Sequence, residues 1–285
     1  MLKKIVLELL KYIFDRRLLV RFSRALMNSV SGDNNESIRQ NGECVLLSHI
    51  LNFLAEEKEF IIFDVGANSG TWTCCLLDII FKKRIDKKIT VYCFEPSVYA
   101  FSELQKNIAA SPSAHIVHSV NIGISDAVGT GLLYSDRRGA GTSSFYKRRI
   151  RDCGISFDKT EVIQATTLDI YCRTQGIDRI KFLKVDVEGH ELAVLRGAQD
   201  MLRKCNIDFI QFEYGGSWID SRTLLLDMYD LMSSFGYVIG KILPAGIEFY
   251  DVYDQRIETF QMANFLACRR DYANRFNRIE PWWKE

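Results

Sequence analysis

The segment Phe60-Ile-Ile-Phe-Asp-Val-Gly-Ala-Asn-Ser-Gly-Thr71 decides the fold of this 285-residue chain. Residues 60–65 form a short apolar run before a glycine, which is typical of a buried parallel strand. Gly66 and Gly70 permit a tight turn and a close approach of the backbone to a ligand. A helix is expected over residues 71–81, with its first N–H groups facing the same place. Such a strand, turn and helix together are typical of a nucleotide-binding cradle.

The spacing of the glycines narrows the kind of nucleotide. The pattern is G-x-x-x-G after Asp64, whereas a dinucleotide site needs G-x-G-x-x-G and a triphosphate loop needs G-x-x-x-x-G-K-[ST]. An acid on the strand followed by a turn of small residues suits a ligand with an ammonium and a carboxylate, such as S-adenosylmethionine. A tight turn without any ligand is the alternative at this point, because glycine turns between strands and helices are common.

The next strand supplies a second sign of the same ligand. Residues 89–94 are a β-rich apolar run that ends in Glu95 and Pro96. A carboxylate at this strand end can accept hydrogen bonds from both hydroxyls of a ribose. Pro96 ends the strand, and Ser97 is a suitable N-cap for a helix to about residue 107. The turn and the acid thus both indicate an adenosine-bearing ligand above the strand ends.

The chain resembles the FkbM-type S-adenosylmethionine-dependent methyltransferases. The resemblance covers about residues 60–215, with every block in order, and Lys184-Val-Asp-Val-Glu-Gly189 is its most specific part. The other blocks are Phe63–Gly70, Phe94–Ser97, Val120–Asp126, Thr167–Asp169 and Leu195–Ala198. It implies a Rossmann-like class I methyltransferase fold, S-adenosyl-L-methionine as cofactor and O-methylation of a hydroxyl on a sugar or another small metabolite.

Alternating strands and helices predict an α/β fold with a doubly wound, mostly parallel sheet and an antiparallel closing strand. The further predicted strands are 115–124, its hairpin partner 130–135, and 182–187, 209–214, 237–243 and 264–269. The further predicted helices are 43–57, 191–204 and 221–234. Turn-forming residues 31–36 are the clearest linker. We therefore predict an N-terminal helical extension over residues 1–57 and an S-adenosylmethionine-binding domain over residues 58–285.

Ligands of open α/β sheets gather at the carboxyl ends of the strands, where this sequence repeatedly places acids. The predicted cofactor-binding residues are Asp64, Gly66, Ala67, Asn68, Gly70, Thr71, Glu95, Pro96, Asn121, Ile122 and Asp186. An alcohol acceptor must lose its proton, and a carboxylate or imidazole within reach can take it. We expect Glu188 to be this base and Asp186 to position both the acceptor and the methionine end of the cofactor. His190 is the weaker candidate, since a histidine at a helix start is as often simply satisfied by a neighbour.

Two features of the predicted site allow alternatives. A divalent cation on Asp186 and Glu213 is a rival way to lower the pKa of the acceptor, but two carboxylates without fixed spacing assign no metal site. The loop Arg137–Ser144, with Lys147, Arg148, Arg149 and Arg151 after it, could close over an acceptor bearing phosphate or carboxylate groups. A solvated surface loop explains its charges equally well.

Composition restricts the binding partners and the cellular compartment expected of the protein. The net charge of +1, and the absence of aromatic residues interleaved with basic ones, argue against nucleic acid as a partner. Eight cysteines without any C-x-x-C pair suggest small buried thiols in a reduced, cytoplasmic compartment. Basic residues alternate with apolar ones over residues 1–27, which predicts a helix packed on the domain or on a partner in a homodimer. Weak contact with the inner face of a membrane is the alternative for this helix.

The function expected from these features is methyl transfer to a hydroxyl of a saccharide, a glycoconjugate or another small metabolite. The rivals are a cofactor-binding or membrane-associated protein of this fold without turnover, and a methyltransferase for a non-sugar acceptor. A nicotinamide oxidoreductase is a third alternative, which the glycine spacing disfavours.

Overall fold

Parallel strands joined by helices make up the centre of the fold. A computed structural model of the protein describes residues 10–54, 57, 59–85, 88–149 and 156–284. The strands are β1 Glu59–Val65, β2 Lys88–Phe94, β3 Val117–Val120, β4 Gly123–Ser125, β5 Gly129–Ser135, β6 Lys159–Thr167, β7 Ile180–Val185, β8 Ile207–Tyr214, β9 Tyr237–Leu243, β10 Gly246–Tyr250, β11 Ala263–Arg269 and β12 Arg278–Ile279. The helices are α1 Arg16–Ser31, α2 Glu43–Phe53, α3 Thr71–Lys83, α4 Val98–Ala109, α5 Leu168–Gln175, α6 Glu191–Arg196, α7 Gln199–Arg203, α8 Ser217–Ser221, α9 Leu225–Ser234 and α10 Arg270–Ala273.

The main sheet of the described residues has the strand order β12-β10-β9-β11-β8-β7-β1-β2-β3. The run from β8 to β3 is parallel, and β11 is antiparallel to both β8 and β9. This confirms the predicted Rossmann-like class I methyltransferase fold with its antiparallel closing strand. The strand order reverses between β1 and β7, and ligands of such sheets bind at this switch point.

Strand β1 is buried on both faces, which explains its uninterrupted apolar sequence. Phe60 and Ile62 face a core layer shared with α2, α3 and α4. Phe63 and Val65 face a second layer shared with α5, α6 and α9. The side chains alternate between the two layers because successive residues of a strand point to opposite faces. The turn after β1 is therefore held from both sides of the sheet.

The two N-terminal helices differ in how they meet this sheet. Helix α2 belongs to the core, with Leu46, Leu47, Ile50 and Leu51 all buried. Helix α1 has no buried residue. Among the described residues, no helix is both long enough and apolar enough to pass through a bilayer. The predicted boundary near residue 57 stays a prediction, and part of the predicted basic helix, residues 1–9, lies outside the described residues.

The cysteines of the described residues are free thiols. Cys93, Cys172 and Cys268 are buried, and burial raises the pKa of each. Cys44 of α2 and Cys75 of α3 face each other with their sulfur atoms 2.7 Å apart. The buried thiols pack as small apolar side chains, as expected for free cysteine.

The predicted single strand over residues 115–124 and its hairpin with 130–135 are wrong. The chain leaves the main sheet after Val120, and residues 123–125 pair with β6 in a separate sheet of order β4-β6-β5. The side-chain amide of Asn121 donates to the carbonyl oxygens of Glu95 and Pro96, at 2.8 and 2.9 Å. This side-chain bond replaces a ladder bond and turns the chain out of the sheet. Strand β6, which the sequence analysis missed, separates the two predicted partners.

The predicted helix over residues 191–204 is two helices, with the break at Gly197. A Cβ atom at this glycine would lie 2.0 Å from the carbonyl oxygen of Ser125. The carboxylate of Asp169 then caps the second helix, accepting from the N–H groups of Asp200 and Met201 at 2.8 and 3.0 Å. The helix predicted over 221–234 likewise starts later, at residue 225, because Arg222 adopts a left-handed conformation that ends α8. Strand β10 was also missed.

Two glycines with positive φ, one in the β1 turn and one after α5, separate the effect of close packing on stability from the effect of backbone conformation. Gly66 has φ +82°, and a Cβ atom there would lie 1.9 Å from the carbonyl oxygen of Asp186. Gly176 has φ +67° and open space around its Cβ position. We expect Gly176→Ala to cost about 1–2 kcal/mol of unfolding free energy, because only the left-handed strain is added. Gly66→Ala should cost a further ~1–3 kcal/mol or more, because it also overpacks the turn. Urea denaturation of both variants measures the difference, and equal losses would refute the packing role.

Candidate active site

A cavity of about 650 Å³ opens at the carboxyl ends of β1, β2, β7 and β8. Most of the predicted cofactor and catalytic residues line it, namely Gly66, Ala67, Asn68, Thr71, Glu95, Pro96, Ile122, Asp186 and Glu188. Asp64, Gly70, Asn121 and His190 do not line it. The switch point of the sheet thus brings together residues from four separate strand ends, as the sequence analysis expects.

Close packing requires glycine at two positions of the β1 turn. The Cβ position of Gly66 points at the backbone of Asp186, and that of Gly70 lies 2.7 Å from the side chain of Leu104 in α4. The N–H groups of Gly66 and Ala67 both donate to the carbonyl oxygen of Phe94 at 3.0 Å. Both glycines let the turn fit between β7 and α4. The close approach of the backbone to a ligand at these glycines stays a prediction, and Gly66 lines the cavity.

Glu95 is held firmly at the rim of the cavity. Its two carboxylate oxygens accept from the backbone N–H groups of Asn68 and Ser97, each at 2.8 Å. Burial raises the pKa of Glu95 to about 7, although these two hydrogen bonds favour the charged form. A carboxylate oxygen accepts more than one hydrogen bond, so both oxygens keep capacity for further donors.

Asn121 acts on the cavity indirectly. Because its amide nitrogen donates to the carbonyl oxygens of Glu95 and Pro96, it fixes the turn after β2. The wall of the cavity is formed by the next residues, Ile122 to Ile124, together with Phe94.

A buried lysine lies under the cavity, and its charge balances the acids around it. The Lys184 ammonium lies 3.0 Å from the carboxylate of Asp186 and 3.6 Å from that of Asp64. Asp64 is fully buried and accepts a 2.5 Å hydrogen bond from the Thr73 hydroxyl. Burial alone would lower the pKa of Lys184, but the carboxylates of Asp186, Asp64 and Glu43 outweigh it and raise the pKa. Asp64 is thus a support beneath the site, not part of its surface.

The N-terminal segment contributes a side chain that the sequence analysis missed. Glu43 begins α2, lines the cavity and is 4% exposed. Its carboxylate accepts from the amides of Asn41 at 2.6 Å, Gln211 at 2.5 Å and Asn264 at 3.2 Å. Burial raises its pKa. An acid in the first turn of a helix is common, so the sequence carried no signal that this one reaches the site.

Glu188 lies where a base is expected, in a strained backbone conformation. Its φ is +52°, which is uncommon for a residue with a side chain. The Ser144 hydroxyl donates to its carbonyl oxygen at 2.6 Å, and Arg148 pairs with its carboxylate at 2.7 Å. Burial raises the pKa of Glu188 to about 7, while the charge of Arg148 opposes the shift. Glu188 can therefore change protonation near neutral pH.

Glu213 shares the same part of the cavity. Burial, and then the negative charges of Asp186 and Glu188, raise its pKa well above the usual range. Its neighbours thus favour the protonated form. Within the residues that the structure describes, no three His, Cys, Asp or Glu side chains are arranged to hold a metal ion.

His190 is enclosed by other side chains. Its Nε2 atom lies 2.9 Å from the Ser125 hydroxyl and its Nδ1 atom 3.1 Å from the Tyr146 hydroxyl. The ring of Phe145 stacks on the imidazole with centroids 4.2 Å apart. Burial lowers the pKa of His190 to about 4, so the ring is neutral at physiological pH. With both nitrogens engaged, it has the contacts of a structural histidine.

The loop after β5, which the sequence suggests could close over an acceptor, lies partly at the cavity. Gly141, Thr142, Ser143 and Phe145 line the cavity, as does Arg148. The other described basic residues of the loop do not line the cavity; of these, Lys147 pairs with Asp158 and Arg138 lies over the ring of Tyr99. Arg151 lies outside the described residues. A single cation of the loop thus faces the cavity in the described part of the chain.

Comparison with known proteins assigns the family. The sequence matches the family described as "Methyltransferase FkbM domain" over residues 64–239. The chain belongs to the FkbM methyltransferase family. The matched range includes Asp64, Glu95, Asp186 and Glu188, whereas Glu43, which also lines the cavity, lies before it.

Relatives of this FkbM chain include two named enzymes. It is 27% identical to the hexuronic acid methyltransferase AglP of Haloferax volcanii, over 58% of this chain and 62% of that protein. It is 24% identical to the 2-O-methyltransferase NoeI of Sinorhizobium fredii, over 75% of this chain and 86% of that protein. Among solved structures, an FkbM methyltransferase from Methylobacillus flagellatus aligns with a TM-score of 0.44 and 17% identity, covering 73% of this chain and 44% of that one.

The buried lysine of this FkbM chain provides a stability test. Lys184→Met should lower the free energy of unfolding by about 3–5 kcal/mol, because it leaves the buried carboxylate of Asp64, and that of the partly exposed Asp186, without their cation. Lys82→Met is the control, since Lys82 forms an exposed pair with Asp78 and should change stability by less than about 1 kcal/mol. Chemical denaturation without ligand measures both. A loss at Lys184 no larger than that at Lys82 would show that the cluster is not a structural support.

Proposed function

We propose that this protein is an S-adenosylmethionine-dependent O-methyltransferase whose acceptor is a hydroxyl of a saccharide or glycoconjugate. The observation that carries the proposal is the Glu95 carboxylate, fixed by two backbone N–H groups at the rim of a cavity of about 650 Å³. Membership of the FkbM family supports methyl transfer as the reaction.

The residues at the rim fit the cofactor. Glu95 would accept hydrogen bonds from the two ribose hydroxyls, because each of its oxygens has further acceptor capacity. Phe94 and Ile122 would lie along the adenine, and the N-terminus of α3 at Thr71 would face the carboxylate of the methionine part. Asp186, at the end of β7, would hold its ammonium group. When bound, the cofactor supplies a methyl group that its sulfonium charge has already activated.

The acids on the opposite side of the cavity suit an alcohol acceptor. Glu188 would accept the hydroxyl proton as the oxygen attacks the methyl carbon, and its pKa of about 7 matches this task. Arg148 would hold the Glu188 carboxylate in place through their 2.7 Å ion pair. Asp186 would orient the acceptor hydroxyl. In an in-line displacement most of the remaining rate comes from such positioning.

The name of one relative supports a saccharide as the acceptor, and the name of another supports transfer to oxygen. AglP is named as a hexuronic acid methyltransferase and NoeI as a 2-O-methyltransferase. The polar cavity wall formed by Glu43, Asn41 and Asn264 suits an acceptor with several hydroxyl groups. A non-sugar acceptor, and a cofactor-binding protein without turnover, are the alternatives. Transfer of labelled methyl groups from the cofactor into an acceptor pool would exclude a cofactor-binding protein without turnover.

Buried free thiols fit the reducing, cytoplasmic compartment that we propose.

Glu95→Ala tests the cofactor site. Removing the ribose acceptor should weaken binding of S-adenosylhomocysteine by tenfold or more, given about 1.5–3 kcal/mol for a hydrogen bond to a charged group. In the parent protein, affinity should fall as the pH drops below about 7, because Glu95 then becomes protonated before the ligand binds. The variant should lack the part of this pH dependence due to Glu95. Isothermal titration at several pH values measures both effects.

The matched control for this titration is Glu103→Ala, an exposed acid of α4 paired with Lys106. It should bind like the parent protein at every pH. Unchanged affinity in Glu95→Ala would overturn the ribose assignment, and no heat with the parent protein would overturn the cofactor itself.

Glu188→Gln tests the base. Turnover should fall by about 10²–10⁴-fold while the affinity for the cofactor stays the same, because the amide cannot take the proton. In the parent protein the turnover number should decline as the pH falls below about 7, where Glu188 becomes protonated. Incorporation of labelled methyl groups is the readout. A normal rate in the variant would show that another residue of the cavity is the base.

A further inference from the structure

Helix α1 presents an apolar side to the surroundings of the protein. Its 16 residues include none that is buried. Leu18, Phe22, Leu26 and Val30 are 54–76% exposed, and their spacing of four places them along one side of the helix. Monomeric proteins rarely expose a continuous apolar strip, and such strips mark interaction sites.

The opposite side of α1 is basic. Arg17, Arg21 and Arg24 follow each other at spacings of four and three, so they share a side about half a turn away from the apolar strip. The helix is thus strongly amphipathic, with its mean hydropathy low and its cations on the polar side. Helices of this composition lie in the interface of a membrane, with the apolar side among the acyl chains and the arginines among anionic headgroups.

We propose that α1 is an in-plane anchor that binds the protein to an anionic lipid surface. The positive charge complements the headgroups, and the exposed leucines and phenylalanine supply the apolar contact. Both the electrostatic and the apolar contribution are needed, because neither a few cations nor a short apolar strip alone binds a bilayer firmly.

The end of α1 is tied to the wall of the cavity. Asp33, just after the helix, forms a buried ion pair with Lys241 of β9, and Asn34 bonds to the backbone of Met262 at 2.8 Å. The segment continues directly into the cavity wall at Glu36 and Asn41. A bound α1 would therefore hold the mouth of the cavity near the bilayer. Resting on the proposed function, this assigns the acceptor to the class of lipid-linked saccharides.

Cosedimentation with vesicles tests the anchor without cofactor or acceptor, so its outcome is independent of the proposed activity. The full chain should bind vesicles of phosphatidylcholine containing about one third phosphatidylglycerol, and bind pure phosphatidylcholine at least about tenfold more weakly. Phe22→Glu and the triple change of Arg17, Arg21 and Arg24 to Gln should each reduce binding by about tenfold or more. Val252→Glu is the matched control, since Val252 is 78% exposed, lies just after β10 and is not part of α1, so this variant should bind as the parent does.

Three results would overturn the anchor. One is absence of binding to the anionic vesicles, and another is equal binding of Phe22→Glu and the parent. The third is a dimer that Phe22→Glu dissociates in sedimentation equilibrium, because a second copy would then cover the strip. Circular dichroism checks that each variant is folded. The acceptor class is tested separately: faster methylation of a vesicle-bound glycolipid than of its soluble headgroup supports it, and equal rates refute it.

Discussion

The site depends on one buried cation among acids from three segments. Lys184 of β7 lies 3.0 Å from Asp186 and 3.6 Å from Asp64 of β1, and its pKa is also raised by Glu43 of α2. A buried charge without a partner costs several kcal/mol, so these segments are stable only in the arrangement that brings the charges together. The cluster therefore joins the first strand, the central strand and the N-terminal helix under a single cavity. It also leaves the upper part of the cavity rich in carboxylates.

The acids in the upper part of the cavity, Glu95, Glu188 and Glu213, all have a raised pKa. Burial raises the pKa of Glu95, Glu188 and Glu213 above that of a free carboxyl. Between the unfolded and the folded pKa the native state binds extra protons, so these groups favour folding at low pH. Glu95 and Glu188 lose that contribution as the pH rises through neutrality. Hydroxyl donors and a cationic ligand would instead stabilise the charged forms. A protein built this way binds such ligands best when the acids ionise, which couples ligand binding to pH.

Much of the fold was predictable because its signals are local. The strand, turn and helix around Gly66 follow from an apolar run and a positive-φ glycine, and Glu95 follows from an acid just before a proline. The contribution of Glu43 was not predictable, because its hydrogen bond to Gln211 spans 168 positions of the chain. The wrong prediction of a hairpin between residues 115–124 and 130–135 has the same origin. The side-chain hydrogen bonds of Asn121 to a turn 25 residues earlier end the strand. Residues whose roles come from distant contacts leave no trace in spacing or composition.

A crystal structure with S-adenosylhomocysteine would show which side chain holds the sugar. We expect both ribose hydroxyls within about 3 Å of the Glu95 carboxylate oxygens, with the sulfur atom facing Asp186 and Glu188. A ligand bound away from Glu95, or a cavity filled by the protein's own side chains, would contradict the ribose assignment.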